Sequence, residues 1–249
     1  MCRFLLSLIA LLCAASPAMT EESHVLQRTG IAYAVGSNTM LYREIHETRW
    51  RDGLPVTETV IYRDTDGDLL ATKTIDYRTS LQAPSFRLVM EGIDYEEGLE
   101  RTESGLRAFV PPIGETMQTA PVKEGDDLVV DGGFDRLIFR KLDAIKAGET
   151  LSFRFLIPGR LESYDFRVRK VADGEMLGEA AVHIRLEPAN FLLRWLAEPV
   201  NVWYHRDSGR LLRYIGPSNL RDPDGNNPNV RVDFPGSPVV VKPEPGEAS

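Results

Sequence analysis

The sequence predicts a mainly β protein: a single antiparallel meander, curved into a barrel or half-barrel, with one amphipathic helix and one short helix. Three observations predict this class. Apolar and polar residues alternate in many short runs, as they do in strands with one buried face. Asp-Gly and Ser-Gly pairs separate successive runs and suit tight hairpins. One further segment repeats its apolar residues at the helical spacing.

The strand pattern is clearest in the second half of the chain. Apolar residues take alternate positions in Leu151–Ile157, Tyr164–Val168 and Val182–Leu186. Short connections predict sequential antiparallel pairing of about ten such strands. A sheet of this size leaves exposed edges unless it closes or nearly closes. We predict a single domain over residues 24–234, followed by a mobile proline-rich tail over 235–249.

Two segments are predicted to be helical. The first, at about 133–146, follows Asp131 and ends before Gly148, and both residue types are typical of helix termini. Packed on the curved sheet, this helix would close one open side. The second, at about 189–196, lies between two prolines. The apolar stripe of the first helix comprises Phe134, Leu137, Ile138, Leu142 and Ile145.

The first 18 residues have the composition of a secretory signal peptide. Arg3 is the only charge before Glu21, the run Phe4–Ala15 is apolar or small, and Ser16-Pro17-Ala18 suits signal peptidase. The run is too short for a membrane anchor, which needs about 20 apolar residues. We therefore predict cleavage near Ala18, a periplasmic or secreted protein, and no transmembrane segment after cleavage.

Cysteine content and charge exclude several classes of function. The two cysteines, Cys2 and Cys13, would leave with the signal peptide, and thiol chemistry would leave with them. The net charge of −8 disfavours nucleic acid and anionic membrane surfaces as partners. No cofactor fingerprint occurs, so we predict no cofactor.

An apolar cavity inside the curved sheet is the first functional hypothesis. It would hold a lipid-like or other amphipathic ligand, with the amphipathic helix as its closure. The alternative is that the same side chains are simply core. The candidate lining residues are Phe134, Leu137, Ile138 and Leu142 of the helix, with Trp195, Trp203 and Tyr204.

A group of arginines suggests an anion site. They fall on the polar phases of three successive predicted strands, so sequential pairing would bring them to one face. Guanidinium groups bind phosphate and carboxylate in a bidentate manner. The alternative is an outer face on which nearby carboxylates, such as Glu187, balance the charge. The arginines are Arg154, Arg167, Arg169 and Arg185.

No catalytic or metal site is predicted. The Asp64–Asp68 and Asp222–Asn229 loops carry oxygen ligands that could hold calcium weakly, but their composition equally describes turns. His205 with Asp207, or a carboxylate pair near Glu100, could serve a hydrolase, although no nucleophile motif accompanies them.

Two short motifs carry a resemblance. At Gly133-Phe134-Asp135 through Gly148-Glu149, and at Leu211–Asn219, the chain resembles a group of exported bacterial proteins of unknown function. In layout it is similar to the periplasmic lipoprotein carriers with a half-barrel fold. The resemblance implies a fold and no active site. We predict a periplasmic, non-enzymatic binding or carrier module, with an envelope protein-interaction module or a hydrolase as alternatives.

Overall fold

The computed structural model describes residues 23–113, 116–190, 199–222 and 224–241. Within these ranges the chain forms sixteen strands and one α-helix. The first eight strands are β1 Ser23–Ala34, β2 Met40–Arg51, β3 Leu54–Arg63, β4 Leu69–Asp76, β5 Ser85–Met90, β6 Tyr95–Thr102, β7 Gly105–Ile113 and β8 Thr116–Val122.

The second half of the chain contains the helix and the remaining strands. After a two-residue strand the helix α1 spans Gly133–Lys146, and a single 3-10 turn, Pro158–Arg160, follows the next strand. The strands are β9 Leu128–Val129, β10 Leu151–Ile157, β11 Glu162–Met176, β12 Glu179–Pro188, β13 Val200–His205, β14 Leu211–Pro217, β15 Asn229–Asp233 and β16 Val239–Val241.

All strands belong to one sheet made of two meanders. β1 to β8 are neighbours in sequence order, β9 to β15 likewise, and β1 joins the two by pairing with β15. The described pairings are antiparallel apart from β9 with β10. This confirms the predicted mainly β, antiparallel class. The edge strands β8 and β9 do not pair with each other in the described residues, so the sheet is curved but not closed.

The core lies between the two halves of the sheet. Side chains of the first meander, such as Val60 and Tyr62, belong to the same buried cluster as Ile184 and Val202 of the second. Ile138 of α1 is completely buried in this cluster. The two meanders therefore face each other across the helix, and the outer face of the sheet is convex.

Helix α1 has the bounds that the sequence predicted. Its buried side consists of apolar residues at helical spacing, whereas Phe139 is 60% exposed. Gly133 is the first residue of the helix and packs closely against another segment. A Cβ at this position would lie 2.0 Å from the carbonyl oxygen of Gln82. The Asp131 carboxylate accepts the backbone N–H of Gly132, just before the helix, at 2.7 Å, makes no side-chain bond to the helix itself, and pairs with Lys73. The second predicted helix, at about 189–196, falls mostly on residues outside those described.

The chain termini also bear on the predictions. Val239–Val241, within the segment predicted as a tail, form β16 on β1, because β15 covers only the other end of β1. Residues 1–22 and 242–249 lie outside the described ranges. The signal peptide, its cleavage near Ala18 and the export that follows from it stay predictions. No described helix has the length and apolarity needed to cross a membrane.

Candidate ligand-binding cleft

A cleft opens where neighbouring strands separate. β15 ends at Asp233, having paired with the second half of β1 and with β14. The chain then crosses to pair β16 with Val25–Gln27 at the other end of β1. At this split lies a cleft of about 180 Å³.

Four parts of the fold line the cleft. They are the first half of β1, the end of β2, the first half of α1 and the β13–β14 hairpin, with Pro238 from the crossover. Several lining side chains are charged, and others form an apolar rim. The charged or polar ones include Arg28, Asp135, Arg136 and Tyr204, and the apolar ones include Leu26, Trp50, Phe139, Leu211 and Pro238.

Glu58 is the centre of the charged interior behind the cleft. It is 4% exposed, and it accepts hydrogen bonds from His46 at 2.8 Å and from the Tyr77 hydroxyl at 3.0 Å. Burial alone would raise the pKa of this carboxyl. The hydrogen bond and charge of His46, with the charges of Arg28 and Arg136, outweigh burial and hold the pKa of Glu58 well below its ordinary value. Glu58 is therefore a fixed anion.

Two of the three arginines that line the cleft, Arg28 and Arg136, contact carboxylates of the interior, and the third, Arg210, pairs with Glu179. Arg28 lies 3.9 Å from Glu58 and 3.4 Å from Asp135, and Arg136 lies 3.6 Å from Glu58. The Arg136 guanidinium also lies over the rings of Trp50 and Tyr77, at 5.4 and 5.3 Å from their centroids, in cation–π geometry.

The side chains of Arg28 and Arg136 are both partly exposed. About a fifth of each arginine side chain is exposed. Two buried donors nearby, Arg136 Nε and Trp50 Nε1, have no acceptor in the described part of the chain. The cleft is thus lined by arginine side chains that are held in place and partly exposed.

Tyr204 and Asp135 connect the sheet to the helix at the cleft. The Tyr204 hydroxyl donates to Asp135 Oδ1 at 2.6 Å. Burial, and after it the neighbouring carboxylate, raises the pKa of Tyr204 well above its ordinary value. Tyr204 therefore stays a neutral donor, and its bond holds Asp135 beside Arg28.

The polar interior continues away from the cleft. His46 also lies 3.1 Å from Glu44, and Lys73 lies 2.9 Å from Asp131 just before α1. Burial would lower the pKa of Lys73, but Asp131 and other neighbours raise it well above its ordinary value. Each of these buried polar groups has a hydrogen-bonding or oppositely charged partner in contact, as burial requires.

The residues predicted from the helix stripe lie in the core rather than around an open space. Leu137, Ile138 and Leu142 are buried in the cluster shared by both halves of the sheet, and Phe134 packs against its edge. Phe134 lies 6.1 Å from the ring of Phe153. Tyr204 reaches the cleft, and Trp195 lies outside the described residues.

The predicted arginines lie on the opposite, outer face. β10, β11 and β12 pair in sequence order, and their register places all four arginines on that face. Arg154 binds Asp127 at 2.7 Å, and Glu187 contacts both Arg167 and Arg169. Trp203 is on the same face, stacked on His183 at 4.2 Å. The structure thus separates the sequence-predicted site into two groups.

The residues considered for hydrolysis are engaged in other bonds. His205 Nδ1 accepts the backbone N–H groups of Asp207 and Ser208, and Glu100 pairs with Arg107. These contacts stabilise the local turn and the strand pairing, and His205 Nε2 lies 3.8 Å from a carboxylate oxygen of Glu179 rather than beside Asp207.

The two aspartate-rich loops are stabilised by their own backbone. Asp64 accepts the backbone N–H groups of Asp66 and Asp68. Asp222 does the same for Asp224 and Asn226. In both loops the aspartate forms the local side-chain-to-backbone hydrogen bonds that aspartate favours in turns.

Comparison with known proteins supports the fold. The sequence matches no family model and no curated protein. The chain is similar to a β-barrel-like protein of a domain of unknown function, DUF1849, from Brucella abortus, with a TM-score of 0.54 and 8% identity over 88% of this chain and 99% of that one. It also aligns with MucB at a TM-score of 0.23 and 13% identity, over 85% of this chain and 51% of that one, which is too loose for any inference.

The first of these similarities shows the fold alone. It agrees with the resemblance to proteins of unknown function drawn from the sequence, and a barrel-like fold is compatible with a binding or interaction module. The likeness to lipoprotein carriers stays a prediction.

Proposed function

We propose that the protein is a non-enzymatic binding module whose cleft takes the oxyanion head group of an amphipathic ligand. The observation that carries the proposal is the position of two cleft arginines, Arg28 and Arg136. Arg28 and Arg136 are fixed by interior carboxylates and are each about a fifth exposed. Guanidinium groups fixed in this way match carboxylate or phosphate oxygens.

The size of the cleft supports partial insertion of the ligand. At about 180 Å³ it is smaller than the roughly 300–1,000 Å³ pockets that enclose a whole drug-sized ligand. A head group fits, and an acyl chain would lie outside. This differs from the enclosed apolar cavity expected from the sequence, because α1 occupies the interior.

The rim supplies apolar surface for such a chain. Phe139 is 60% exposed beside the cleft, and Val240, which pairs with the cleft residue Leu26, is 70% exposed. Exposed apolar groups next to a charged cleft favour an amphipathic molecule over a simple ion.

The electrostatics favour binding over proton transfer. The pKa of Glu58 is held far below neutral pH, and a general base works best with a pKa near the operating pH. Asp135, the carboxylate that lines the described cleft, accepts a hydrogen bond from Tyr204 and pairs with Arg28.

Export to the envelope is part of the proposal, and it rests on the N-terminal sequence. The arginine-free apolar run and the small-residue site before Glu21 support it. Mass spectrometry of the protein from a bacterial periplasm should give a chain beginning near Met19. An intact Met1 would contradict it.

Isothermal titration with dodecyl phosphate, below its micellar concentration, tests the binding role. Dodecanol lacks the oxyanion and inorganic phosphate lacks the chain, so each should bind at least about tenfold more weakly. Replacing Arg136 by methionine should weaken dodecyl phosphate binding by about tenfold. Equal binding of dodecanol would contradict the proposal.

A matched control lies on the same helix. Arg140 is an exposed arginine that donates to Gln82 on the surface. Arg140→Met makes the same chemical change one helical turn further along and should leave the affinity for dodecyl phosphate unchanged.

A further inference from the structure

The outer face of the sheet carries a transverse band of arginines. Strand register aligns Arg169, Arg185 and Arg231, with Asn201 and Ile215 between them. The neighbouring row contributes the rest through β14, β15, β1, β2 and β3. The arginine band, as defined here, consists of Arg43, Arg63, Arg169, Arg185, Arg213 and Arg231.

The carboxylates that contact the arginine band are nearly buried. Asp233, which pairs with Arg213 and Arg231, is 9% exposed, and Glu187, which contacts Arg169, is 8% exposed. The six arginines outnumber these two carboxylates. The band is therefore basic although the whole chain is acidic at −8, except at its end, where Arg63 donates to the Gly67 carbonyl of the aspartate-rich loop.

The shape of the band limits what can contact it. It crosses eight neighbouring strands from β3 to β11, which is roughly 34 Å at the usual strand spacing. The outer face is convex, because the two halves of the sheet bury their other face against each other, in two clusters of buried residues. A flat bilayer would touch only a few of these strands, whereas a flexible chain can follow the whole band.

Aromatic side chains are interleaved with the arginines. Trp203 lies opposite Arg213 in the register, and the Arg231 guanidinium lies 4.5 Å from the ring centroid of Tyr33. Arginine, tyrosine and tryptophan are the residues enriched in protein–protein interfaces. Apolar groups of a partner can pack on these rings while its carboxylates meet the guanidinium groups.

We propose that the arginine band binds an acidic, aromatic-containing polypeptide segment of a partner protein. This surface is on the opposite face of the sheet from the cleft and does not depend on the ligand proposed there. Charge complementarity and the aromatic content select a polypeptide among possible polyanions.

Fluorescence anisotropy with a labelled peptide of Asp-Glu-Tyr-Gly repeats tests this inference. The full mature chain should bind it saturably, and affinity should fall as sodium chloride rises from about 50 to about 200 mM. The triple variant Arg43→Gln, Arg169→Gln, Arg185→Gln should bind about tenfold more weakly. Arg213 and Arg231 are left intact because they neutralise buried Asp233.

A second triple variant controls for net charge. Arg78, Arg101 and Arg107 pair with surface carboxylates away from the band, and their change to glutamine should alter affinity by less than about twofold. Equal loss in both variants, or no saturable binding by the wild type, overturns the inference. Tighter binding of phosphatidylglycerol vesicles or single-stranded DNA to the same arginines overturns the choice of partner.

Discussion

At the scale of single residues, the cleft depends on charges that point into the protein. Arg28, Glu44, His46, Glu58 and Lys73 all occupy inward positions of their strands. Inward positions normally carry apolar side chains, so hydrophobic alternation gives no signal for these residues. A useful signal would have been a charge at the position where the alternation requires an apolar residue.

Strand β2 shows why that signal is hard to read. Its inward side carries Tyr42, Glu44, His46 and Thr48, while Ile45 faces outward. A pattern of this kind has no apolar face, and periodicity cannot distinguish it from a polar loop. The sequence therefore predicted about ten strands where the described residues form sixteen.

Glu58→Gln tests the charged interior directly. The change leaves His46, Arg28 and Arg136 without their shared anion, and we expect the free energy of unfolding at pH 7 to fall by about 3 kcal/mol. Urea denaturation followed by circular dichroism measures it. Glu47→Gln, on the outer side of β2 and bonded to the neutral Gln27 at 2.8 Å, should cost less than about 0.5 kcal/mol.

The difference in unfolding free energy between wild type and Glu58→Gln should change with pH in one direction. The pKa of Glu58 is lower in the folded protein than in the unfolded chain, where it is about 4.3. Its stabilisation is therefore complete above the unfolded pKa and is lost as the pH falls through the folded one. The gap between wild type and Glu58→Gln should narrow below about pH 4.3, and a gap that widens there would contradict this account.

At the scale of elements, helix α1 was the most predictable part of the chain. Its apolar stripe at helical spacing predicted residues 133–146, and these are its bounds. The role of the stripe was less predictable, because the same residues suit a lid over a cavity or a filled core. Ile138 and Ile145, both fully buried, show that tertiary packing decided this.

The start of α1 gives a prediction against ordinary helix propensity. Alanine normally stabilises a helix by about 1 kcal/mol relative to glycine. At Gly133 a Cβ would lie 2.0 Å from the Gln82 carbonyl oxygen, so Gly133→Ala should instead destabilise the protein by about 1–3 kcal/mol. Thermal unfolding measures the sign. Gly174→Ala, whose Cβ would meet nothing within 4 Å, is the control and should change stability little.

At the scale of the whole molecule, the cleft is a product of long-range assembly. It combines Arg28 of β1, Trp50 of β2, Arg136 of α1 and Pro238 beyond β15. These positions meet because β1 pairs with β15 and joins the two meanders. No local motif encodes that pairing, so the sequence predicted the class of sheet but not the cleft.

The same topology separates the two surfaces proposed for binding. The cleft opens at the split beside β15, and the arginine band crosses the outer face of the same strands. Failure of one proposal leaves the other standing, because the variants that test them share no residue.

The central claim is that an amphipathic oxyanion occupies the cleft beside Arg136. The most direct test is a ¹H–¹⁵N spectrum of the tryptophan indole N–H groups during titration with dodecyl phosphate, with Trp50 assigned from Trp50→Phe. Trp50 lies against Arg136, so its resonance should shift progressively and saturate, whereas that of Trp203 on the outer face should not move. A Trp50 resonance that stays unchanged while dodecyl phosphate binds would contradict the account.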